Sequence, residues 1–114
     1  MNITFLGTGT SGGVPLIGCQ CSVCKSSDVK DKRLRTSALI ATAKATIVID
    51  CGPDFRQQML REDVRHIDAV LMTHAHKDHT GGIDDIRAFN FINQKPINFY
   101  CDYPTELGIK RSEE

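Results

Sequence analysis

The stretch that decides the fold is IDAVLMTHAHKDHTGG, residues 67–82. Its continuous apolar centre, Ala69 to Met72, predicts a strand buried on both faces of a sheet. Four residues able to bind metal follow directly: His74, His76, Asp78 and His79. Histidines two residues apart point the same way on an extended segment, whereas about 200° would separate them on a helix. The spacing therefore predicts a site for two metal ions at the end of a strand.

The donors in this motif are imidazole nitrogens and carboxylate oxygens, with no thiolate among them. This set favours zinc, and manganese or iron is also compatible with it. A histidine-rich surface loop is the alternative interpretation. Three histidines and an aspartate within six residues, directly after an apolar strand, favour metal binding.

Short apolar runs elsewhere in the chain predict further strands. These runs are residues 3–6, 36–42, 45–50 and 97–101. The second and third runs are separated by Ala43-Lys44, which is the spacing of an antiparallel hairpin. With helices between the later strands, this order of elements predicts an α/β domain built on a mixed β-sheet.

Helical periodicity is present twice. A helix is predicted from Gly52 to about Glu62, with three apolar side chains on one face, those of Phe55, Met59 and Leu60. A second, short helix is predicted from the apolar spacing within residues 83–89. Residues 104–114 lack such a pattern and are predicted to be the polar tail of a single domain that spans residues 1–114.

Charge and composition exclude several classes of protein. The chain has 114 residues, 40% of them hydrophobic, and its 14 basic residues balance 14 acidic ones. This balance gives no electrostatic footprint for nucleic acid or anionic lipid, so neither partner is expected. The first residues carry no basic leader, and no apolar stretch is long enough to span a membrane. We therefore predict a cytoplasmic protein that contacts no membrane.

Gly7, Gly9 and Gly12 formally match the dinucleotide-binding pattern G-x-G-x-x-G. That fingerprint needs a helix opening at the third glycine, whereas Gly13-Val14-Pro15 leads into a group of cysteines. We predict instead a loop whose backbone packs closely beneath the metal site, and no nucleotide cofactor.

Five cysteines in a chain without a secretory signal favour metal binding over disulfides. Cys19, Cys21 and Cys24 have the spacing C-x-C-x-x-C, which suits a tetrahedral structural zinc once a fourth ligand is added. Free thiols are the alternative. Cys51 and Cys101 each follow an apolar strand and are predicted to be small buried hydrophobes.

The motif H-x-H-x-D-H at residues 74–79 resembles the signature of the metallo-β-lactamase superfamily at all four positions. Gly7-Thr8-Gly9, and the run DCGPDFR at residues 50–56, resemble the branch that contains PhnP-like cyclic phosphodiesterases. The resemblance covers about residues 1–103. It implies the N-terminal half of an αββα sandwich and a metal-dependent hydrolase, with a small molecule or a phosphodiester, including a cyclic one, as substrate.

The resemblance also assigns roles to residues. His74 and His76 would bind one metal and Asp78 and His79 a second, and the two ions would activate a water molecule for attack. Asp78 would also orient that water, and Asp50 would support the ligands by fixing an imidazole orientation. A turn-forming aspartate is the alternative for Asp50. The signature does not encode the substrate, so a tRNA-processing nuclease or a thioester hydrolase of the same superfamily is the alternative function.

The family's two-metal site takes further ligands downstream: a histidine, a bridging aspartate and a final histidine. No histidine follows His79 in this sequence. We therefore expect these 114 residues to be incomplete as an enzyme, or to be a metal-binding remnant without catalysis. Without the second layer of the sandwich, an apolar sheet face would be open to solvent, which predicts a homo-oligomer.

Overall fold

The computed structural model describes residues 1–113, with side chains as far as Arg111. In this part of the chain five strands form one sheet: β1 Asn2–Gly7, β2 Ser37–Ala41, β3 Thr46–Ile49, β4 Ala69–Leu71 and β5 Asn98–Tyr100. The α-helices in the same residues are α1 Phe55–Arg61, α2 Lys77–Thr80, α3 Arg87–Asn93 and α4 Tyr103–Glu113. Short 3₁₀ turns lie at Val29–Asp31 and Ile83–Ile86.

The strands lie in the sheet in their order along the chain. β1, β2 and β3 pair antiparallel, whereas β3, β4 and β5 pair parallel. The predicted hairpin is confirmed, and Thr42 closes its turn because its hydroxyl accepts hydrogen bonds from the backbone N–H groups of Lys44 and Ala45. The predicted α/β class with a mixed sheet is therefore confirmed.

The core lies on one face of the sheet and includes residues of α1 and α3. Val48 and Val70 are cross-strand partners and are fully buried. Phe55 of α1 and Phe89 of α3 pack edge to face, with ring centroids 6.2 Å apart. The same cluster also contains Leu6, Cys51, Met59, Ile67, Met72 and Ile86. Burying each large side chain of this kind stabilises the fold by roughly 1.5–3 kcal/mol.

Three predictions about burial were wrong. Leu60 is 62% exposed, because the buried face of α1 is defined by Phe55 and Met59, and Leu60 is turned about 100° away from Met59. β4 is buried on one face only: Val70 is buried, while Leu71 points to the other face of the sheet and is 36% exposed. Cys101 is exposed because it follows the last residue of β5, outside the core.

The other face of the sheet carries two rows of mostly apolar side chains, which we call the open face. Strand pairing places Ile3, Ile40, Ile47, Ala69 and Asn98 in one row, and Phe5, Ala38, Ile49, Leu71 and Tyr100 in the second. The exposed fractions of Ile3, Phe5 and Tyr100 are 56%, 72% and 54%. In the described part of the chain this face is therefore accessible to a partner.

The residues predicted as a polar tail are helical as far as Glu113, and Glu114 lies outside the described residues. Asp102 accepts a hydrogen bond from the backbone N–H of Thr105 in the first turn of α4. Ile109 packs against the core from the same helix. No helix within residues 1–113 has the length and hydrophobicity needed to cross a bilayer.

Candidate metal centre

The histidine motif begins where β4 ends and lies against the segment that follows β3. The backbone N–H of Cys51 donates to the carbonyl of His79 over 3.0 Å, and the N–H of Gly82 donates to the carbonyl of Cys51 over 2.9 Å. Because β3 and β4 are parallel, both segments leave the same edge of the sheet. The carboxyl ends of parallel strands are a common location for functional sites in α/β proteins.

Two glycines allow these segments to touch. A Cβ atom on Gly52 would lie 2.1 Å from the carbonyl oxygen of Asp78, and one on Gly82 would lie 2.2 Å from the carbonyl oxygen of Gly52. Real Cβ atoms essentially never approach other atoms within 3.0 Å. The backbone at Asp78 therefore rests directly on the turn after β3, and that contact positions the motif.

The four predicted metal ligands come together in space. The ligand atoms of His74, His76 and Asp78 lie within 4.8 Å of one another, and so do those of Asp50, His74 and His79. The ring of His74 is 4.7 Å from that of His76 and 4.0 Å from that of His79, centroid to centroid. Imidazole and carboxylate donors grouped in this way fit divalent metal ions. The assignment of each ligand to one of two metals stays a prediction.

Asp50 supports this group from below. Its side chain is almost fully buried, Oδ1 accepts the backbone N–H of Thr73 over 2.8 Å, and Oδ2 lies 2.6 Å from Nδ1 of His79. Its backbone is left-handed, with φ of 62°, a conformation that aspartate tolerates better than most residues. A carboxylate on Nδ1 leaves Nε2 of the same ring to face a metal. These contacts favour the supporting role for Asp50 over that of an ordinary turn residue.

Thr73 is a member of the site that sequence reasoning missed. Its hydroxyl lies 2.7 Å from Oδ2 of Asp50 and 2.9 Å from Nδ1 of His74. The signal in the sequence was small, a hydroxyl residue between an apolar strand and the first histidine. Its importance depends on Asp50, which is 23 residues away along the chain.

The Cys19, Cys21 and Cys24 sulfurs also lie within 4.8 Å of one another. The backbone N–H of Cys24 donates to Sγ of Cys21, and that of Leu16 donates to Sγ of Cys24, each over 3.4 Å. The bond from the N–H of Cys24, together with bonds from the neighbouring thiols, lowers the pKa of Cys21 to about 7. The grouping suits a soft metal ion, and a tetrahedral site takes one more ligand than these three.

The glycine loop at residues 7–13 has close backbone packing, but Gly7 and Gly9 pack against residues 33–35 and not beneath the histidine motif as predicted. A Cβ atom on Gly7 would lie 2.0 Å from the carbonyl oxygen of Arg35, and one on Gly9 would lie 2.6 Å from that of Arg33. The loop is followed by a turn and the cysteines, and no helix begins at Gly12. The arrangement differs from a dinucleotide-binding fingerprint, which requires a helix at this point.

The domain has a mixed sheet, and histidine and aspartate side chains are grouped where its parallel strands end. These features are those of an α/β domain with a candidate metal site at the edge of its sheet. Residues 45–114 match the model of the Beta-lactamase superfamily domain. The chain therefore belongs to the β-lactamase superfamily, as the resemblance of its motif implied.

The chain is also similar to individual proteins. A crystal structure of a diphosphatase from the PhnP family is 44% identical, with a TM-score of 0.91 over 96% of this chain and 45% of that one. A protein of Porphyromonas gingivalis named octanoyltransferase is 58% identical over 88 residues, which are 76% of this chain and 18% of that protein. Zn²⁺-bound PqqB from Methylobacterium extorquens shares the fold at 24% identity, with a TM-score of 0.64 over 90% of this chain and 46% of that one. The chain thus spans less than half the length of each of these proteins.

Proposed function

We propose that this chain carries the metal-binding part of a hydrolase that cleaves phosphorus–oxygen bonds, with a phosphodiester, including a cyclic one, or a diphosphate as the substrate class. The observation that carries the proposal is the convergence of four motif side chains above Asp50. The likeness to a PhnP-family diphosphatase supports the phosphorus chemistry. We propose zinc as the metal, with two ions in a complete site, and manganese or iron fits the same donors.

The roles of the side chains follow from their positions. Bound divalent ions would supply Lewis acidity, which polarises a phosphoryl group and makes a water molecule a better nucleophile. His74, His76 and His79 would hold these ions through ring nitrogens. Asp78, whose Oδ2 lies 3.1 Å from Nε2 of His79, would orient the attacking water and accept its proton. Asp50 would hold the ring of His79 in place from the buried side.

Metal content and turnover test this proposal separately. Zinc binding to the purified chain is measured by calorimetric titration for the wild type, for His76→Ala and for His66→Ala. We expect His76→Ala to weaken binding and His66→Ala to leave it unchanged, because His66 pairs with Asp68 outside the centre. The zinc-loaded protein is then assayed on bis(p-nitrophenyl) phosphate, a cyclic phosphodiester, a diphosphate, RNA 3′ ends and a thioester. Turnover of only RNA ends or the thioester would replace the proposed substrate class, and zinc binding that His76→Ala leaves unchanged would refute the centre.

A second candidate function is metal binding without turnover. The donors grouped at the end of β4 suit metal binding whatever the reaction, and the chain spans 45% of the diphosphatase that it resembles. Firm zinc binding with no hydrolysis of any of these substrates is the result that this candidate predicts.

The Porphyromonas gingivalis relative is named for acyl transfer, a different reaction from the one proposed. The match covers 18% of that protein, so most of its chain lies outside the similar region. Acyl transfer therefore gains no support from residues that the two proteins share.

We also propose that the open face pairs with a second copy of this chain. Two sheets pack face to face about 10 Å apart, and two-fold symmetry places the same apolar rows against each other. Leaving side chains such as Phe5 and Ile3 in water costs roughly 1.5–3 kcal/mol each relative to burying them. A location in the cytoplasm stays a prediction from the sequence.

The cysteine group has its own proposed role. We propose that Cys19, Cys21 and Cys24 hold a structural zinc ion, separate from the histidine centre. Substituting Cys21 by serine would then remove about one equivalent of tightly bound zinc and leave the equivalents bound by the histidines in place. Unchanged zinc content in that variant would favour free thiols.

A further inference from the structure

One hydroxyl group connects two imidazole rings of the metal centre through a single carboxylate. Oδ2 of Asp50 lies 2.6 Å from Nδ1 of His79 and 2.7 Å from the hydroxyl oxygen of Thr73. The same hydroxyl oxygen lies 2.9 Å from Nδ1 of His74. The two rings thus reach the same carboxylate, His79 directly and His74 through Thr73.

The chemistry of these groups determines where the hydrogens lie. An ionised carboxylate only accepts hydrogen bonds, so both Nδ1 of His79 and the hydroxyl of Thr73 donate to Asp50. A threonine hydroxyl has one hydrogen, and here that hydrogen is directed at Asp50. The hydroxyl oxygen must then accept the bond from His74, so Nδ1 of His74 carries a hydrogen. In the neutral rings Nε2 is then unprotonated, which is the form that binds a metal ion. Nε2 of His79 faces Oδ2 of Asp78 over 3.1 Å, and two acceptors placed in this way suit a shared cation.

We propose that Thr73 is a positioning residue: its hydroxyl donates to Asp50 and accepts from Nδ1 of His74, which fixes the tautomer of His74. This inference rests on the proposed metal-binding function of the same site. Without the hydroxyl, Nδ1 of His74 has no acceptor at Thr73, and the ring distributes its hydrogen between both nitrogens. Partners of this kind typically change metal affinity by about 10–100-fold when they are removed.

The hydroxyl can be removed with little risk to the fold. Thr73 is exposed, and its backbone N–H, which also donates to Asp50, is retained in any variant except proline. Thr73→Val keeps the shape of the side chain but loses the hydroxyl, whereas Thr73→Ser keeps the hydroxyl. The pair therefore separates hydrogen bonding from packing.

The test is nitrogen-15 NMR of the histidine rings in the metal-free protein at alkaline pH. In the wild type and in Thr73→Ser we expect His74 and His79 to carry the hydrogen on Nδ1. In Thr73→Val we expect His74 to become a mixture of tautomers while His79 is unchanged. Asp50→Asn should alter both rings, and His66, which lies outside the centre, is the internal control.

Zinc titration of the same variants gives the second readout. We expect about tenfold weaker binding for Thr73→Val and recovery in Thr73→Ser. An unchanged tautomer of His74 in Thr73→Val, or an equal change at His79, would overturn the inference. Wild-type protein that shows the expected tautomers but whose zinc binding is unaffected by His76→Ala would refute the proposed function and leave the hydrogen-bond assignment intact.

Discussion

Replacing Gly52 by alanine should displace the metal centre through a backbone contact alone. The new Cβ would lie 2.1 Å from the carbonyl oxygen of Asp78 and 3.0 Å from its carbonyl carbon. The backbone of Gly52 is not left-handed, so alanine is conformationally allowed there and the effect is steric. Restoring a contact of 3.0 Å requires the two segments to separate by about 0.9 Å.

The magnitude of the effect follows from that displacement. Overpacking of this kind costs about 1–3 kcal/mol of stability. Alanine also lowers the conformational entropy of the unfolded chain, which offsets about 0.4–1 kcal/mol of that cost. For a domain of about 100 residues, each kcal/mol lowers the melting temperature by roughly 4–8 °C. Asp78 and His79 move with their backbone, so we expect zinc affinity to fall about tenfold or more.

The assay is thermal unfolding of the metal-free protein, followed by zinc titration at a temperature where the variant is folded. Gly12→Ala is the matched control, because its Cβ would meet only the side chain of Leu16, which is half-exposed and can move. If Gly52→Ala melts and binds zinc like Gly12→Ala, the contact between Gly52 and Asp78 does not position the motif.

Three further predictions concern thiols, pH and assembly. In the metal-free protein Cys21, with its pKa lowered to about 7 by the N–H of Cys24, should be alkylated by iodoacetamide near neutral pH. Burial, and to a smaller extent the charge of Asp50, raises the pKa of Cys51 to about 12. Cys51 should therefore react only after unfolding, and peptide mass spectrometry would show which cysteine is alkylated. The backbone N–H of Thr46 lowers the pKa of Asp68 below its ordinary 3.8, so this carboxylate stabilises the fold above that pH and ceases to do so as the pH falls through the lower folded value. Denaturant unfolding should therefore show Asp68→Asn less stable than the wild type at neutral pH, with the difference vanishing in acid. Finally, light scattering should find the wild type dimeric and Phe5→Ser shifted towards monomer.

Each of these predictions has a control and a contrary result. Equal alkylation of both cysteines in the folded protein would contradict the buried environment of Cys51. Asp63→Asn breaks an exposed ion pair with Arg65 and controls for loss of a surface charge. Ile17→Ser removes a fully solvated apolar side chain away from the sheet and should leave the dimer intact. A monodisperse wild-type monomer would show that the open face does not pair with a second copy.

The elements of the fold were predictable because local pattern and tertiary structure agree. Apolar runs bounded by turn residues predicted all five strands, including the hairpin of β2 and β3. The burial of individual side chains was less predictable, since it depends on which face another layer covers. Leu71 follows the buried Val70 in an apolar run. Nothing local in the sequence shows that Leu71 points to the face of the sheet that is left open.

The candidate site shows the same division. The grouping of His74, His76, Asp78 and His79 follows from their spacing along one segment. The contacts of Asp50 and Thr73 join segments that are distant in the chain, so they depend on the pairing of β3 with β4. A single sequence contains no direct signal for such a hydrogen bond between two strand ends.

Because the motif packs against the turn after β3, the motif alone cannot be transferred to another protein with its geometry intact. A designer who transferred residues 74–79 into another protein would move the candidate ligands but leave behind Asp50 and Gly52, which contact His79 and Asp78. The smallest unit worth grafting is therefore a pair of parallel strands with both of their carboxyl-end turns. A library that varies only the six-residue motif explores ligand identity, whereas one that also varies residues 50–52 explores geometry.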